Sequence, residues 1–318
     1  MLIVLMTTLP IFGLIFCGAA GQRFRILPSN AVDGLNAFVF YFALPAMLFR
    51  VIATAKPEQL LDFRFAASYI IGGFAMFSLG RWASRSLWGS SRSIAYARGT
   101  TAAHGNIGYL GLALVAEISG PQFLAPVAIA ILCDVLTVMG GAIVLYERNQ
   151  VVESGKAVAL RHIIWQVLKG LMKSPIVMSL VAGVAWLTLG LPLPKVIDNF
   201  TRLLAAAAGT CALFAIGASM GTRKIVIDKV TLNMIALKLV VHPAMIAVLM
   251  FWVFAVDPHK AAIGVLCASL PGASNTFIVA QRYGVAPEIL NTPIVLGTFI
   301  AVLTVSFVIW ATNLIPAS

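Results

Sequence analysis

Runs of about twenty mostly apolar residues, parted by short polar or Gly/Pro-bearing joints, recur from one end of this sequence to the other. A helical run of that length matches the hydrocarbon thickness of a bilayer, where a chain must satisfy its backbone groups internally. Ten such runs can be read, at roughly 2–20, 31–54, 63–82, 93–117, 121–146, 174–190, 195–220, 229–255, 261–283 and 287–313. Composition agrees. The chain is 60% hydrophobic and 10% charged, whereas soluble domains run nearer ~45–50% and ~25%. The sequence predicts an all-α polytopic membrane protein solvated by the lipid bilayer.

In a soluble chain, a formal net charge of +11 would suggest a nucleic-acid partner. Here none is expected, because Lys and Arg of membrane proteins gather in cytoplasmic loops and set the orientation. With the N-terminus outside, fifteen of the 22 Lys and Arg fall on the cytoplasmic side, Lys156, Arg223 and Lys224 among them. Six fall on the other side, and Lys238 lies within a span. Both termini are therefore expected outside. The segment "MLIVLMTTLPIFGLIFCGAAG" has its basic residues after the apolar run, so it reads as a first membrane helix rather than a cleaved signal. Cys17, Cys133, Cys211 and Cys267 lie in four apolar runs with no pairing motif and read as small hydrophobes.

The sizeable loop, about 147–173, divides the chain into 1–146 and 174–318. Within it Leu160, Ile163, Ile164, Val167, Leu168 and Leu171 repeat at helical spacing, which predicts an amphipathic helix on the cytoplasmic interface. Five spans on each side make the second half cross the membrane in the opposite sense. Internal echoes support a repeat. Pro10-Ile11 recurs as Pro175-Ile176, Pro126 as Pro293, and "VLTV" at 135–138 recurs at 302–305, offsets of 165 to 167. Inverted repeats are a recurrent plan of secondary transporters, with the substrate held near the midplane by broken helices.

The fourth and ninth runs carry such breaks. "AHGNIGYLG" places His104, Gly105 and Asn106 mid-span, and "SLPGASNTF" places Pro271, Gly272, Ser274 and Asn275 at the corresponding depth. Unpaired backbone groups there cost several kcal/mol each, so the two breaks are expected to cross and satisfy each other. Asn106 and Asn275 stand where each second half-helix begins, as an N-cap amide would. Two half-helix N-termini, each worth roughly +0.5 of a charge, suit a carboxylate or other small anion. Candidate substrate-binding residues are therefore Asn106, Asn275, Gly105, His104, Pro271, Gly272 and Ser274. Lys238, about ten residues into the eighth run, is a further candidate that could face the anion or pair with Asp134. A carboxylate at bilayer depth costs about 2.5–3.5 kcal/mol, which marks Asp134 as a candidate for a coupling proton or cation. His242 is expected to be a hydrogen-bonded packing residue, and Arg50, Arg98 and Arg202 to anchor at headgroups. No phosphate-binding loop, catalytic triad or metal-ligand cluster is present, so neither an enzyme, a cofactor nor a metal site is expected.

The stretches "LNAFVFYFALPAMLFRVIA", "HGNIGYLGLAL", "LKLVVHPAMIAVL" and "ASLPGASNTFIVAQRYGV" resemble the auxin efflux carrier family, which includes bacterial members similar to malonate transporters. The resemblance implies ten helices in two inverted five-helix repeats, with helices four and nine broken and crossing. It also implies a mobile core working against a dimerising scaffold, organic anions as substrates, and Asn106 and Asn275 as the crossover asparagines. It further implies a homodimer in a bacterial inner membrane with periplasmic termini. The small residues of "LLAAAAGTCALFAIGASMG" (203–221) would allow close helix packing there. Plant members carry a long hydrophilic central loop that this chain lacks. Two alternatives stand beside the anion carrier: a cation-coupled carrier of the sodium/bile-acid or sodium/proton exchanger kind, and a receptor that binds the anion without moving it.

Overall fold

The structure, a computed structural model, describes residues 2–28, 30–60, 62–153, 159–220, 227–285 and 288–314. Thirteen helices carry the argument: α1 (Leu2–Arg23), α2 (Ala31–Ala53), α3 (Phe63–Ser86), α4 (Arg92–Ala103), α5 (Ile107–Ile118), α6 (Pro121–Val152), α7 (Leu160–Leu171), α8 (Pro175–Thr188), α9 (Lys195–Met220), α10 (Lys229–Val253), α11 (Pro258–Ser269), α12 (Asn275–Arg282) and α13 (Glu288–Ala311). The described residues hold no strand. Six of these helices are long and apolar enough to cross a membrane, and α7 with α8, bent by 79°, would make a seventh as one span. The fourth and ninth apolar runs are each divided, into α4 and α5 and into α11 and α12. Lys156, Arg223 and Lys224 lie outside the described residues, so the structure does not place that part of the charge asymmetry.

Helix α6 runs past the expected end at 146 for a physical reason. Tyr146 and Asn149 are buried, and Tyr283 donates to Glu147 Oε1 at 2.6 Å, so this polar turn is held by the bundle instead of opening into a loop. The expected amphipathic helix is α7. It buries Ile163 and Val167 and exposes Ile164, Trp165 and Leu168, an apolar outer face suited to an interface.

Side-chain caps that the apolar pattern does not mark stand at four helix starts, those of α3, α4, α10 and α11. Asp62 caps α3 by accepting from Phe65 N at 3.0 Å, and Asp228 caps α10 by accepting from Thr231 N at 2.7 Å. They stand 166 residues apart, close to the spacing of the sequence echoes. Burial pushes the Asp62 carboxyl up, but the Lys260 ammonium at 2.8 Å and the Phe65 N–H outweigh it and hold the group below its usual 3.8. The Thr231 N–H likewise holds Asp228 below 3.8. A carboxylate depressed in the folded state adds stability above its unfolded pKa and loses it as pH falls through the folded value. Asp62→Ala should therefore cost about 1 kcal/mol at neutral pH and much less below pH ~3, which a melting series in detergent against pH would read.

Glycines set two helix contacts. On α1 and α9, a Cβ at Gly18 would overlap the Phe214 carbonyl oxygen, and one at Gly217 would overlap that of Ile15, so the two backbones touch. On α2 and α8, a Cβ at Gly183 would lie 2.8 Å from Ile52 Cβ and 3.0 Å from the Phe49 carbonyl oxygen. Ala208, Ala212 and Ala215 are fully buried as well. Small residues of α9 thus serve packing within this chain, and α1 takes up the close approach that the sequence would equally allow to a second copy. Arg50 at the end of α2 is not a free anchor: its Nε donates to Asp198 Oδ1 at 2.7 Å and ties α2 to α9. The remaining long helices, α3, α6, α10 and α13, pack around the two divided ones.

Candidate functional site

The two breaks meet. Gly105 and Gly272 form an isolated antiparallel bridge, in which Asn106 N donates to the Pro271 carbonyl at 2.9 Å and Ala273 N to the His104 carbonyl at 3.4 Å. Backbone groups freed at each break are thus paired with those of the other, so buried main-chain polar groups are satisfied there. Leu270 is extended, as a residue before proline must be, and His104 is extended without that help. Neither glycine has the left-handed backbone that would demand one. Close approach explains them instead. A Cβ at Gly105 would lie 3.1 Å from Lys238 Nζ and 3.2 Å from the Cys267 carbonyl oxygen, and one at Gly272 would lie 3.1 Å from Thr101 Cγ2.

A polar chain runs through this point. His104 is buried, with Nε2 3.0 Å from Asn275 Oδ1 and Nδ1 2.8 Å from Asp134 Oδ2. The second contact lies off the N–H axis, so it is an electrostatic pairing rather than a linear hydrogen bond. Asp134, also buried, accepts from Gly105 N at 3.2 Å with the same oxygen. One carboxylate therefore holds both the histidine and the backbone of the first break.

Lys238 does not pair with Asp134. Its Nζ donates to the carbonyls of Ala103 at 3.2 Å and Ala268 at 3.1 Å and lies 2.9 Å from His242 Nδ1. All three ammonium protons thus have partners within the protein. No sequence motif marks backbone carbonyls, which is why these partners are invisible in residue order. His242 is buried with its Nδ1 against this ammonium, the hydrogen-bonded packing residue expected from the sequence.

The asparagines do not cap. Asn106 precedes α5 and Asn275 opens α12 after Ser274, and neither start has a side-chain cap bond. Asn275 is exposed, Ser274 half-buried and Asn106 buried. The open side of the meeting point is thus the start of α12, with Asn106 beneath it. Pro271 and Gly272 lie buried behind, and Thr101, Lys238, Pro271 and Gly272 line a small cavity of about 10 Å³ on the α10 and α13 side, enough for one water. Among the described residues no three His, Cys, Asp or Glu come together as metal ligands.

The sequence has clear relatives among known proteins. A family model described as "Membrane transport protein" matches residues 3–309. A protein named "Putative malonate transporter" from Rhizobium meliloti is 31% identical over 309 residues, covering 94% of this chain and 92% of the relative. "Uncharacterized transporter YfdV" of Escherichia coli is 24% identical over 278 residues, 87% of each chain. "Auxin efflux carrier component 5" of Arabidopsis thaliana is 23% identical over 312 residues, again 87% of each. With helices built for lipid, no enzyme motif, and this match over nearly its whole length, the chain belongs to the membrane transport protein family of the auxin efflux carriers.

Proposed function

We propose that this transporter is a secondary carrier of small organic anions, malonate-like or auxin-like carboxylates, working by alternating access around the meeting point of its two breaks. The observation that carries the reading is the Gly105–Gly272 bridge with the His104–Asn275 contact laid across it, beside the starts of α5 and α12. Asn106, Asn275 and Ser274 orient the carboxylate, Gly105, Pro271 and Gly272 shape the backbone, and His104 and Lys238 supply polarity and field. A ligand that binds only the folded state at a hundred times its Kd adds about 2.7 kcal/mol. A melting screen should therefore find small carboxylates that stabilise the protein where the matching neutral amides do not; equal effects from both would count against an anion site.

The reading includes ten spans in two inverted repeats, 1–146 and 174–318, joined by 147–173. Two features support it. Helix α1 packs on α9 while α2 packs on α8, so the first helix of each half meets the second of the other. Asp62 and Asp228 cap counterpart helices at the repeat spacing. The bacterial inner membrane, periplasmic termini and a homodimer complete the reading; a strictly monomeric particle in both mild detergent and nanodiscs would remove the last.

Asp134 is the coupling residue in this reading, for a proton or for sodium. Asp134→Asn keeps an oxygen for Gly105 N but loses the charge facing His104. Uptake by that variant should lose most of its dependence on pH or on sodium while the protein still folds. A wild-type response to both would leave Asp134 with a purely structural role.

A further inference from the structure

Lys238 stands where two helix ends converge. Ala103 is the last residue of α4 and Ala268 the next to last of α11, and both carbonyls accept from its Nζ, at 3.2 and 3.1 Å. Each helix C-terminus carries roughly −0.5 of a charge, so the pair presents about one negative charge, which one ammonium balances. Among the described residues the Nζ is otherwise hydrogen-bonded only to His242 Nδ1 at 2.9 Å, and no carboxylate lies within 4 Å of it. The Asp134 carboxylate pairs instead with His104. Lys238 is 3% exposed. In carriers with discontinuous helices, half-helix C-termini and unwound carbonyls are the groups that coordinate sodium. Here the same kind of oxygen set is filled by a side chain of the protein itself. Gly105 keeps that place open, since a Cβ there would press on the ammonium at 3.1 Å.

We infer that Lys238 is a tethered cation, a positioning residue that takes the place of an alkali ion between the C-termini of α4 and α11, so that sodium does not drive transport through this centre. The ammonium holds the two first half-helices in register and leaves their partners' N-termini as the net positive end that meets the anion. Its role in holding the helices stands independently of the substrate. The consequence for coupling rests on the proposed transport function, and it narrows the ion served by Asp134 to a proton.

The test uses the full chain in detergent and in proteoliposomes. Wild-type melting temperature should be the same in sodium, potassium and choline chloride at one ionic strength, and anion uptake should be unchanged when choline replaces sodium. Lys238→Ala should melt roughly 5–10 °C lower, and n-propylammonium, which replaces the deleted atoms, should restore most of the loss where neutral 1-propanol does not. Should Lys238→Ala yield no folded protein, Lys238→Met gives the same loss without a large void, and the wild-type salt series stands alone. Selective stabilisation of the wild type by sodium, or sodium-driven uptake, would overturn the inference. So would a Lys238→Ala or Lys238→Met protein that melts like the wild type, or rescue by propanol equal to rescue by the amine. If no anion is transported at all, the melting and rescue arms still decide whether the ammonium is the cation of this site.

Discussion

Replacing Asn106 or Asn275 by alanine should weaken anion affinity about tenfold to a hundredfold, and replacing both should leave a folded protein close to inactive. Each change removes an amide that can bond the substrate, a loss of ~1–3 kcal/mol where it leaves a buried partner unpaired, at ~1.4 kcal/mol per decade of affinity. The two positions differ in what else they do. Asn106 makes no cap bond to α5, so Asn106→Ala should melt like the wild type. Asn275 Oδ1 meets His104 Nε2 at 3.0 Å, so Asn275→Ala should also melt somewhat below the wild type by leaving that nitrogen without its partner. Uptake kinetics and melting curves on the same preparations separate these effects. Wild-type affinity in both single variants would make the breaks packing kinks and put the binding site elsewhere.

Gly217→Val should be the most damaging single change outside the site. The α1 and α9 backbones touch there, and even a Cβ would overlap the Ile15 carbonyl oxygen and lie 2.7 Å from its carbon. Rigid backbone on both sides gives the neighbour no way to yield, so the helices must part. Overpacking costs ~1–3 kcal/mol and occasionally more; with backbone as the obstacle the upper end applies. At about 2–4 °C per kcal/mol, melting should fall by roughly 6–12 °C. Gly13→Ala, on the same helix α1, is the control: nothing lies within 4 Å of its added Cβ, and it should be neutral or slightly stabilising. Equal melting of Gly217→Val and wild type would mean that α1 and α9 are not packed as described.

The helical membrane class is legible in the sequence because lipid imposes a length and a polarity on every span, and both show directly in residue order. The breaks are legible because an apolar run carries His-Gly-Asn or Pro-Gly at mid-depth only where its helix is interrupted. Their meeting follows from the energetics of unpaired backbone, and the Gly105–Gly272 bridge is the form it takes. Other features lie beyond sequence pattern. Gly105 and Gly272 look like flexible joints in residue order, whereas in the structure they also fit a narrow space beside Lys238 and Thr101. Charge alone pairs Lys238 with Asp134, but its acceptors are main-chain oxygens common to every residue. The small residues of 203–221 permit close packing without saying on whom, and α1 of the same chain answers that. Asp62 and Asp228 do sit at helix starts as capping residues do, a signal present in the sequence but weaker than the apolar runs beside it.

If the chain moves a small organic anion past the point where its two breaks meet, exchange across a membrane must show it. Counterflow tests it most directly: proteoliposomes are loaded with unlabelled malonate and given a trace of labelled malonate outside. The wild type should accumulate label transiently, in a way sensitive to other small carboxylates and lost in the Asn106→Ala/Asn275→Ala double variant. Saturable binding without exchange, or counterflow by the double variant at the wild-type rate, would contradict it.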